Sequence, residues 1–336
     1  MSEIFTAAEL MALDLPELKR VVNPIGPEGL IVFAGKPKSG KSLLALSTAL
    51  AVAGGGRALE HYGVTQGEVL YLALEDSARR LQERMWAMLN GQRVPGNLHL
   101  TLSWPKLDND GLTQMDNFLI AHPKCNLIVV DTLGKVRPYP KHGSGNVYQE
   151  DYDLLGLLKE IADRHNVATV VNHHMRKALA LDWIDSISGT AGISGSADTL
   201  WVLDRHRGSR DGVLKVTGRD VEEDELSLTY DAPTLSWRYE GQMQEVKRSE
   251  ERQSIIDVLR HSGEPLSPLA ISQILGKEQA NVRQLLFQMK KAGEVHPLGN
   301  GKYININNTD NGNNVDNGPN IPNESRRVSM NPDTFM

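Results

Sequence analysis

Apolar and polar residues alternate along the chain in two distinct patterns. Continuous apolar runs bounded by glycine or polar residues predict strands that are buried on both faces of a sheet. These runs are GLIVFAG, GEVLYLALE, LHLTLSW, NLIVVDT and VATVVNHH. Between them, apolar residues recur at helical spacing over Leu43 to Ala53, Ser77 to Leu89 and Tyr152 to His165. This order predicts an α/β domain with a mainly parallel, twisted sheet that helices cover on both faces.

The pattern changes twice in the second half of the chain. From Asp198 onward, the shorter runs TLWVLDR, GVLKVTG, ELSLTYD and TLSWRYE predict antiparallel strands that close one edge of the sheet. After Gly241, helical spacing returns in ERQSIIDVLRHSG, PLAISQIL and KEQANVRQLLFQMKKAG, and EVHPLGNGKYINI predicts a hairpin. Three helices and a hairpin predict a small C-terminal winged-helix domain, a variant of the helix-turn-helix.

These changes predict four segments. Residues 1–25 form a leader with one short amphipathic helix at most, and residues 26–240 form the α/β domain. Residues 248–306 form the winged-helix domain. Residues 307–336 are rich in asparagine and contain too few large apolar residues to bury a core, so we predict a disordered tail.

One loop carries the chemistry that points to function. The stretch GKPKSGKS satisfies G-x-x-x-x-G-K-[ST] and lies between a predicted strand and a predicted helix, which is the context that this phosphate-binding loop requires. Its backbone N–H groups face phosphate oxygens, Lys41 reaches the β and γ phosphates, and the Ser42 hydroxyl is a ligand for Mg²⁺. The alternative is a surface turn rich in glycine and lysine. The predicted nucleotide-binding residues are Gly35, Lys36, Pro37, Lys38, Ser39, Gly40, Lys41, Ser42 and Leu43.

Carboxylates follow two of the predicted strands. Asp131 ends NLIVVDT, where it can hold the Mg²⁺ that bridges the β and γ phosphates. Glu75 and Asp76 end GEVLYLALED, and the carboxyl ends of parallel strands are where open α/β sheets bind ligands. Glu75 is the candidate for polarising the attacking water. Asp76 is the alternative, although it suits the N-cap of the helix that begins at Ser77 better.

Two histidines end the strand VATVVNHH. A metal site at His173 and His174 lacks a cysteine or a third histidine at ligand spacing. An imidazole at the end of this strand can instead donate a hydrogen bond to the terminal phosphate and move the next loop when that phosphate leaves. We therefore predict a γ-phosphate sensor here, with two polar residues that merely end a strand as the alternative.

The order of GKPKSGKS, YLALED, LIVVDT and NHHMRK resembles that of the RecA-like P-loop ATPases. PEGLIVFAGKPKSGKS, SGTAGISGSADTLWVLDR and LKVTGRDVEEDELSLTYD are most similar to the branch of RepA-type hexameric replicative helicases and related phage and mobile-element ATPases. This resemblance covers about two thirds of the chain and implies a ring of six subunits with ATP and Mg²⁺ between neighbours. It also implies that Asp131 is the Walker B acid, Glu75 the catalytic base, and His174 or His173 the sensor.

The resemblance further implies an arginine finger from a neighbouring subunit. The late strand LKVTGRD makes Arg219 the candidate to reach the neighbour's γ-phosphate. Related ring helicases often carry Lys-x-Arg here, whereas this chain has Thr-Gly-Arg, so Arg205 or Arg207 is expected to share the role. The alternative is a strand-end arginine paired with Asp220 or Glu222.

Nucleic acid has three predicted contact regions. The loops Lys135–Lys141 and Arg176–Ser188 would face the ring channel and bind single-stranded DNA through cations and aromatic rings, with solvated surface loops as the alternative. The winged helix would bind duplex DNA or a replication protein. Residues 248–305 contain eight Lys or Arg and six Asp or Glu, and the resulting net charge of +2 does not separate these two partners.

Composition excludes several other classes of protein. The net charge of −6 excludes a chain that is basic throughout, and the single cysteine, Cys125, excludes an intrachain disulfide. Neither a targeting segment nor a membrane span is apparent, which predicts a cytoplasmic protein. The leading hypothesis is an ATP-hydrolysing, ring-shaped DNA helicase of a plasmid, phage or other mobile element. The alternative is a non-translocating RecA-like switch, recombinase or regulator, and a small-molecule kinase ranks last.

Overall fold

The structure is a computed structural model that describes residues 4–138, 147–175 and 195–305. The chain divides into two compact units, Met1–Val246 and Lys247–Met336. The predicted Asn-rich tail, residues 307–336, lies outside the described residues. Among the described helices, none is both long and apolar enough to span a bilayer.

Strands form the centre of the first unit. They are β1 (Arg20–Val22), β2 (Gly26–Pro27), β3 (Gly29–Gly35), β4 (Arg57–Ala58), β5 (Tyr62–Gly63), β6 (Glu68–Ala73), β7 (Leu98–Thr101), β8 (Cys125–Asp131), β9 (Ala168–His174), β10 (Thr199–Arg205), β11 (Asp211–Gly218), β12 (Asp224–Asp231) and β13 (Ser236–Gln242). Nine of them form one sheet in the order β13-β12-β11-β10-β3-β9-β8-β6-β7. The pairs β1–β2 and β4–β5 form two small separate sheets.

The sheet is mostly parallel. Strands β10, β3, β9, β8, β6 and β7 run parallel to one another, whereas β11, β12 and β13 add an antiparallel extension beside β10. This confirms the predicted α/β class. The prediction that TLWVLDR is antiparallel to the core is wrong, because β10 pairs with β3 in the parallel direction. Its continuous burial is typical of a central parallel strand, whereas burial alternates along β11.

Helices cover both faces of the sheet. They are α1 (Ala7–Ala12), α2 (Lys41–Gly54), α3 (Ala78–Leu89), α4 (Leu112–Ala121), α5 (Leu133–Val136) and α6 (Val147–His165). On one face, Leu44 of α2 packs in a core with Phe33 and Val129 of the sheet. On the other face, Met115 of α4 and Leu158 of α6 share a second core with the sheet. Sequence periodicity did not predict α4, which follows a short π-helical turn over Leu107–Gly111.

The beginning of the chain contributes to the first core. Residues 4–18 are exposed, and α1 has no buried side chain. Val21, Val22 and Ile25, in contrast, are buried in the core beside α2. The packed part of this unit therefore includes the last residues of the segment predicted as a leader.

The second unit contains the predicted helices and hairpin. Its elements are α7 (Met243–Ser262), of which the part from Lys247 onward belongs to this unit, α8 (Pro268–Leu275), α9 (Gln279–Lys291), β14 (Val295–Leu298) and β15 (Lys302–Asn305). Ile255, Leu259, Ile271 and Leu286 are buried in a small core of their own. The two strands pair antiparallel around the turn Gly299–Gly301, where Asn300 has a φ of 80° that asparagine and glycine tolerate best.

Candidate nucleotide site

The loop between β3 and α2 is a sharp strand-to-helix turn. Gly35 ends the strand and Lys41 begins the helix, as the motif predicts. Gly40, the residue before the helix, has a φ of 104°, and a Cβ added there would lie 3.0 Å from the Trp237 ring. Only glycine fits this turn without strain, because other residues rarely adopt that φ and would also clash.

Lys41 is buried inside this turn. Its Nζ donates hydrogen bonds to the carbonyl oxygens of Gly35, at 2.7 Å, and of Lys36, at 3.1 Å. Burial lowers the pKa of Lys41 to about 8, although the nearby carboxylates of Asp131 and Glu75 act in the opposite direction. The turn therefore places one cation close to both of the carboxylates that the sequence analysis singled out.

The other residues of the loop differ in exposure. Lys36, Pro37 and Lys38 are exposed, and Lys36 forms an ion pair with Asp204 at 3.3 Å. Ser39 is buried, and its Oγ has no hydrogen-bond partner among the described residues. Buried hydroxyls are normally paired, so this orphan oxygen indicates a ligand that enters the loop.

Leu43 and Ser42 occupy the first turn of α2, and both are half-buried. The backbone oxygen of Ser42 lies 3.4 Å from the Tyr71 hydroxyl. The same hydroxyl donates to Asp131 Oδ2 at 3.1 Å. Burial, and then the Asp131 carboxylate, raise the pKa of Tyr71 well above its usual value, which keeps the hydroxyl protonated as a donor. Tyr71 thus joins the two predicted metal ligands.

Asp131 has one carboxylate oxygen left for a ligand. The residue is 7% exposed, and its Oδ1 has no partner within the described part of the chain. A buried carboxylate oxygen without a partner is costly. A hard oxygen donor next to a serine hydroxyl is the ligand type that Mg²⁺ prefers. The residues present therefore fit a magnesium ion at Ser42 and Asp131.

Glu75 and Asp76 have different surroundings. Glu75 is exposed and its Oε1 accepts a hydrogen bond from the hydroxyl of Thr132, the residue after Asp131, at 3.2 Å. Asp76 forms ion pairs with the guanidinium groups of Arg80 and Arg84. The ion pairs occupy the Asp76 carboxylate, whereas Glu75 remains open to solvent beside the end of β8.

The interpretation of Asp76 as a helix cap is wrong. The N-cap of α3 is Ser77, whose Oγ accepts a hydrogen bond from the Arg80 N–H at 3.3 Å. Asp76 lies one residue too early for that role. It instead accepts a hydrogen bond from the Ser77 N–H at 3.1 Å and pairs with cations of the helix.

The two histidines at the end of β9 face opposite sides of the sheet, because side chains alternate along a strand. His174 pairs in register with Gly35, and the Met175 N–H donates to the Gly35 carbonyl at 3.3 Å. Val170 belongs to the core beside α2, so His174, four residues further on, shares the face of the phosphate loop. His173 is half-buried and faces the other side.

Asn172 is a site residue that the sequence analysis did not identify. It is fully buried on the same face as His174, and neither Nδ2 nor Oδ1 has a partner among the described residues. Its neighbour Val171 pairs with Val130, so Asn172 follows the same register as Asp131 on the adjacent strand. The available signal was one amide inside the otherwise apolar run VATVV-N at a position that faces α2.

Arg219 lies far from its own phosphate loop. Gly218 pairs with Thr199, the first residue of β10, so Arg219 is at the amino-terminal edge of the parallel strands. Its Nη1 contacts Asp198 Oδ1 at 3.2 Å, and 60% of the side chain is exposed. The predicted alternative was a pair with Asp220 or Glu222, but the ion pair that the structure shows is with Asp198.

Arg205 and Arg207 lie at the opposite edge of the sheet. Arg205 ends β10 near the phosphate loop, and its guanidinium stacks on the rings of Tyr230, at 4.6 Å, and Trp237, at 5.1 Å. Arg207 follows in an exposed turn. Arg219 is therefore far from the phosphate loop of its own chain, whereas Arg205 packs near that loop.

The two predicted DNA loops are described only in part. Lys135 is exposed on α5, and its carbonyl accepts a hydrogen bond from Lys106 Nζ at 2.7 Å. Tyr139, Lys141 and the whole of Arg176–Ser188 lie outside the described residues. Contact between these loops and DNA therefore stays a prediction.

The first half of the chain matches a known protein family. A family model, AAA_25, described as "AAA domain", matches residues 2–180, which is more than half of the 336 residues. The chain belongs to this AAA_25 family. No curated protein matches the AAA_25 chain.

A solved structure shows the same fold as the AAA_25 chain. Its title is "The Structure Of A DnaB-Like Replicative Helicase And Its Interactions With Primase", with a TM-score of 0.51 at 12% sequence identity. The match covers 62% of this chain and 57% of that one, so the AAA_25 chain corresponds to only part of that protein. Together with the phosphate loop, this likeness confirms the prediction of a RecA-like P-loop α/β core.

Asn172 allows a test of the site that needs no ligand. Asn172→Leu should raise the free energy of unfolding of the nucleotide-free protein by about 1 to 3 kcal/mol, because a buried amide without partners is removed. Thr169→Val is the matched control, since Thr169 is a fully buried residue of the same strand whose Oγ1 also lacks a described partner.

Urea unfolding followed by tryptophan fluorescence measures both variants, because all five tryptophans lie before residue 247 and report the first unit. Both should be more stable than the wild type. A clear loss of stability in Asn172→Leu alone would mean that the amide already has a partner in the nucleotide-free protein.

Proposed function

We propose that this AAA_25 chain is an ATP-hydrolysing, nucleic-acid-dependent motor, a ring-shaped replicative DNA helicase of the RepA-type branch from a plasmid, phage or other mobile element. One observation carries the proposal. Ser39 Oγ and Asp131 Oδ1 are buried without described partners around the turn that holds Lys41. A hydroxyl that can donate, a cation and a free carboxylate oxygen are the groups that a magnesium nucleotide needs.

Nucleotide binding follows from the loop. Backbone N–H groups from Gly35 to Leu43 and the Lys41 ammonium would hold the phosphates of ATP, with the amino-terminal end of α2 adding a positive dipole. Lys41 would exchange its two carbonyl partners for phosphate oxygens. Ser42 and Asp131 would hold Mg²⁺, which when bound neutralises charge on the β and γ phosphates.

Hydrolysis requires a base that is near the phosphate and not already paired. Glu75 meets this requirement, because Thr132 orients its carboxylate and leaves the second oxygen open to accept a proton from the attacking water. Asp76 does not, since two guanidinium groups hold it. His174 and the Asn172 amide lie on the same face and would donate to the terminal phosphate or the water.

The position of Arg219 supports an assembly of several copies. At the amino-terminal edge of its own sheet, this side chain cannot serve the site in its own chain. It is exposed, and within the described part of the chain its ion pair is with Asp198. As a finger in a neighbour's site, it would stabilise charge on the transferred phosphoryl group. A hexamer with ATP between subunits is the assembly that the RepA-type branch implies.

Nucleic acid would bind at two separate regions, one in each unit. The loops Lys135–Lys141 and Arg176–Ser188 would line the channel and grip single-stranded DNA. The second unit would be a winged helix that contacts duplex DNA or a replication protein. Its exposed cations support this role, and they are Arg283, Lys290 and Lys291 on α9 and Lys302 at the start of β15.

The base is tested by comparing two neighbouring acids. Glu75→Gln should bind ATP normally and lose about 10²-fold or more in turnover, because the amide cannot accept the proton. Asp76→Asn is the control and should keep most of its turnover. Steady-state ATPase rates and binding of a fluorescent ATP analogue measure the two effects, with Lys41→Ala as the variant that lacks binding. Normal turnover in Glu75→Gln would assign the base elsewhere.

The finger is tested by mixing subunits. Arg219→Ala alone should lower ATPase activity by about 10³-fold or more, because the finger stabilises the transition state from a neighbouring subunit. Mixing Arg219→Ala with Lys41→Ala subunits should restore part of the activity, since some interfaces then combine an intact loop with an intact finger. Arg79→Ala is the control, because Arg79 is an 88% exposed arginine of α3 with no proposed role in the site. If no ratio restores activity, Arg219 is not the finger.

The helicase proposal itself is tested on a forked DNA. We expect ATP-dependent strand separation, together with a hexameric mass in the presence of ATP and single-stranded DNA. Glu75→Gln should assemble without separating the strands. ATP-dependent DNA binding with no strand separation at any concentration would instead favour a non-translocating switch, recombinase or regulator.

A further inference from the structure

A second cluster of polar side chains lies at the other end of β6 from Glu75. Glu68 begins this strand, His99 lies on the neighbouring edge strand β7, and His122 directly follows α4. Seven residues separate Glu68 from Glu75, which corresponds to about 20 Å along an extended strand. The nucleotide site therefore does not account for this cluster.

The three side chains converge on one point. Glu68 Oε2 lies 3.0 Å from His99 Nε2 and 2.6 Å from His122 Nδ1. One ligand atom from each residue lies within 4.8 Å of the other two. Phe118 fixes the rings, because it stacks on His122 with the ring centroids 4.2 Å apart and meets His99 edge-on at 5.2 Å.

The cluster is open to solvent on one side. Between 23% and 33% of each of the three side chains is exposed. Glu68 and His99 also line a groove with Gln66, Asn97 and Lys124. An ion can therefore reach the cluster and keep a water molecule as a further ligand, although the positive charge of Lys124 in the same groove weakens the attraction.

We infer that Glu68, His99 and His122 form a binding site for a divalent transition metal of the zinc class. Two imidazole nitrogens and one carboxylate oxygen are a ligand set that zinc uses, whereas magnesium and calcium prefer oxygen alone. Tetrahedral coordination at zinc bond lengths separates ligand atoms by about 3.3 Å. The two contacts of Glu68 need to lengthen by less than about 1 Å to reach that spacing.

Such an ion would add one cross-link between three elements, the strands β6 and β7 and the end of α4. Strand β7 is at the edge of the sheet and pairs only with β6 among the described strands. His122 belongs to the end of α4, and the ion would tie both to the start of β6. Metal binding that requires the folded arrangement stabilises the fold, because the unfolded chain does not hold the three ligands together.

The test uses the full chain, freed of metal with a chelator and kept free of nucleotide. Co²⁺ titration followed by visible absorption reports tetrahedral coordination, and Zn²⁺ titration by calorimetry gives stoichiometry and affinity. Glu68→Gln removes the carboxylate ligand with almost no change in shape, and His99→Gln removes the imidazole ligand on the edge strand β7. His165→Gln is the matched control, because His165 also contacts a carboxylate, Asp116, at 2.8 Å but lies outside the cluster.

We expect one Co²⁺ or Zn²⁺ per chain in the wild type, and a rise in melting temperature with Zn²⁺. Both cluster variants should lose at least about tenfold in affinity, and the Zn²⁺-dependent rise should disappear. His165→Gln should keep the wild-type affinity and the rise. Absence of binding in the wild type would overturn the site. So would wild-type affinity in both Glu68→Gln and His99→Gln. Neither result bears on the ATPase.

Discussion

Burial of one ammonium group in a backbone turn is the constraint on which the candidate site depends. Lys41 is 5% exposed, and among the described residues two carbonyl oxygens accept hydrogen bonds from its Nζ. A buried cation needs negative charge nearby, and the sheet supplies it from the ends of β6 and β8. The parallel order places these ends at one edge of the sheet. The same strand order therefore balances the charge of Lys41 and assembles the candidate site. A nucleotide would add the negative charge that the carboxylates only partly provide.

Packing around the turn explains why the antiparallel extension matters to the site. Trp237 of β13 is buried against Gly40, and its indole Nε1 donates to the Gly40 carbonyl at 3.4 Å. Arg205 stacks on the same ring. The last strand of the unit, β13, therefore packs against the phosphate loop, although it is distant from the loop in sequence. Tyr71 likewise contacts both Ser42 and Asp131, the two predicted metal ligands. These contacts position both residues in the absence of a ligand.

Two glutamates at opposite ends of strand β6 have different surroundings. Beyond its carboxyl end, Glu75 is exposed, and its carboxylate accepts a hydrogen bond from the Thr132 hydroxyl. At its amino end, Glu68 is half-buried between two imidazoles, a setting that suits a metal ion or an ion pair. Burial raises the pKa of Glu68, but the hydrogen bonds with His122 and His99 outweigh it and lower the pKa overall. We therefore propose two different roles for the same residue type, because the number and kind of its neighbours differ.

The sequence by itself determined the local features, because each rests on a few consecutive residues. The phosphate loop, the strands that lead to Asp131 and Glu75, and the change of pattern after Gly241 all follow from spacing and turn chemistry. Tertiary structure decided what depends on distant partners: the parallel direction of β10, the pair between Arg219 and Asp198, and the burial of the Asn172 amide without a partner among the described residues. Periodicity shows that a side chain is buried, but strand order decides which side chain lies beside it.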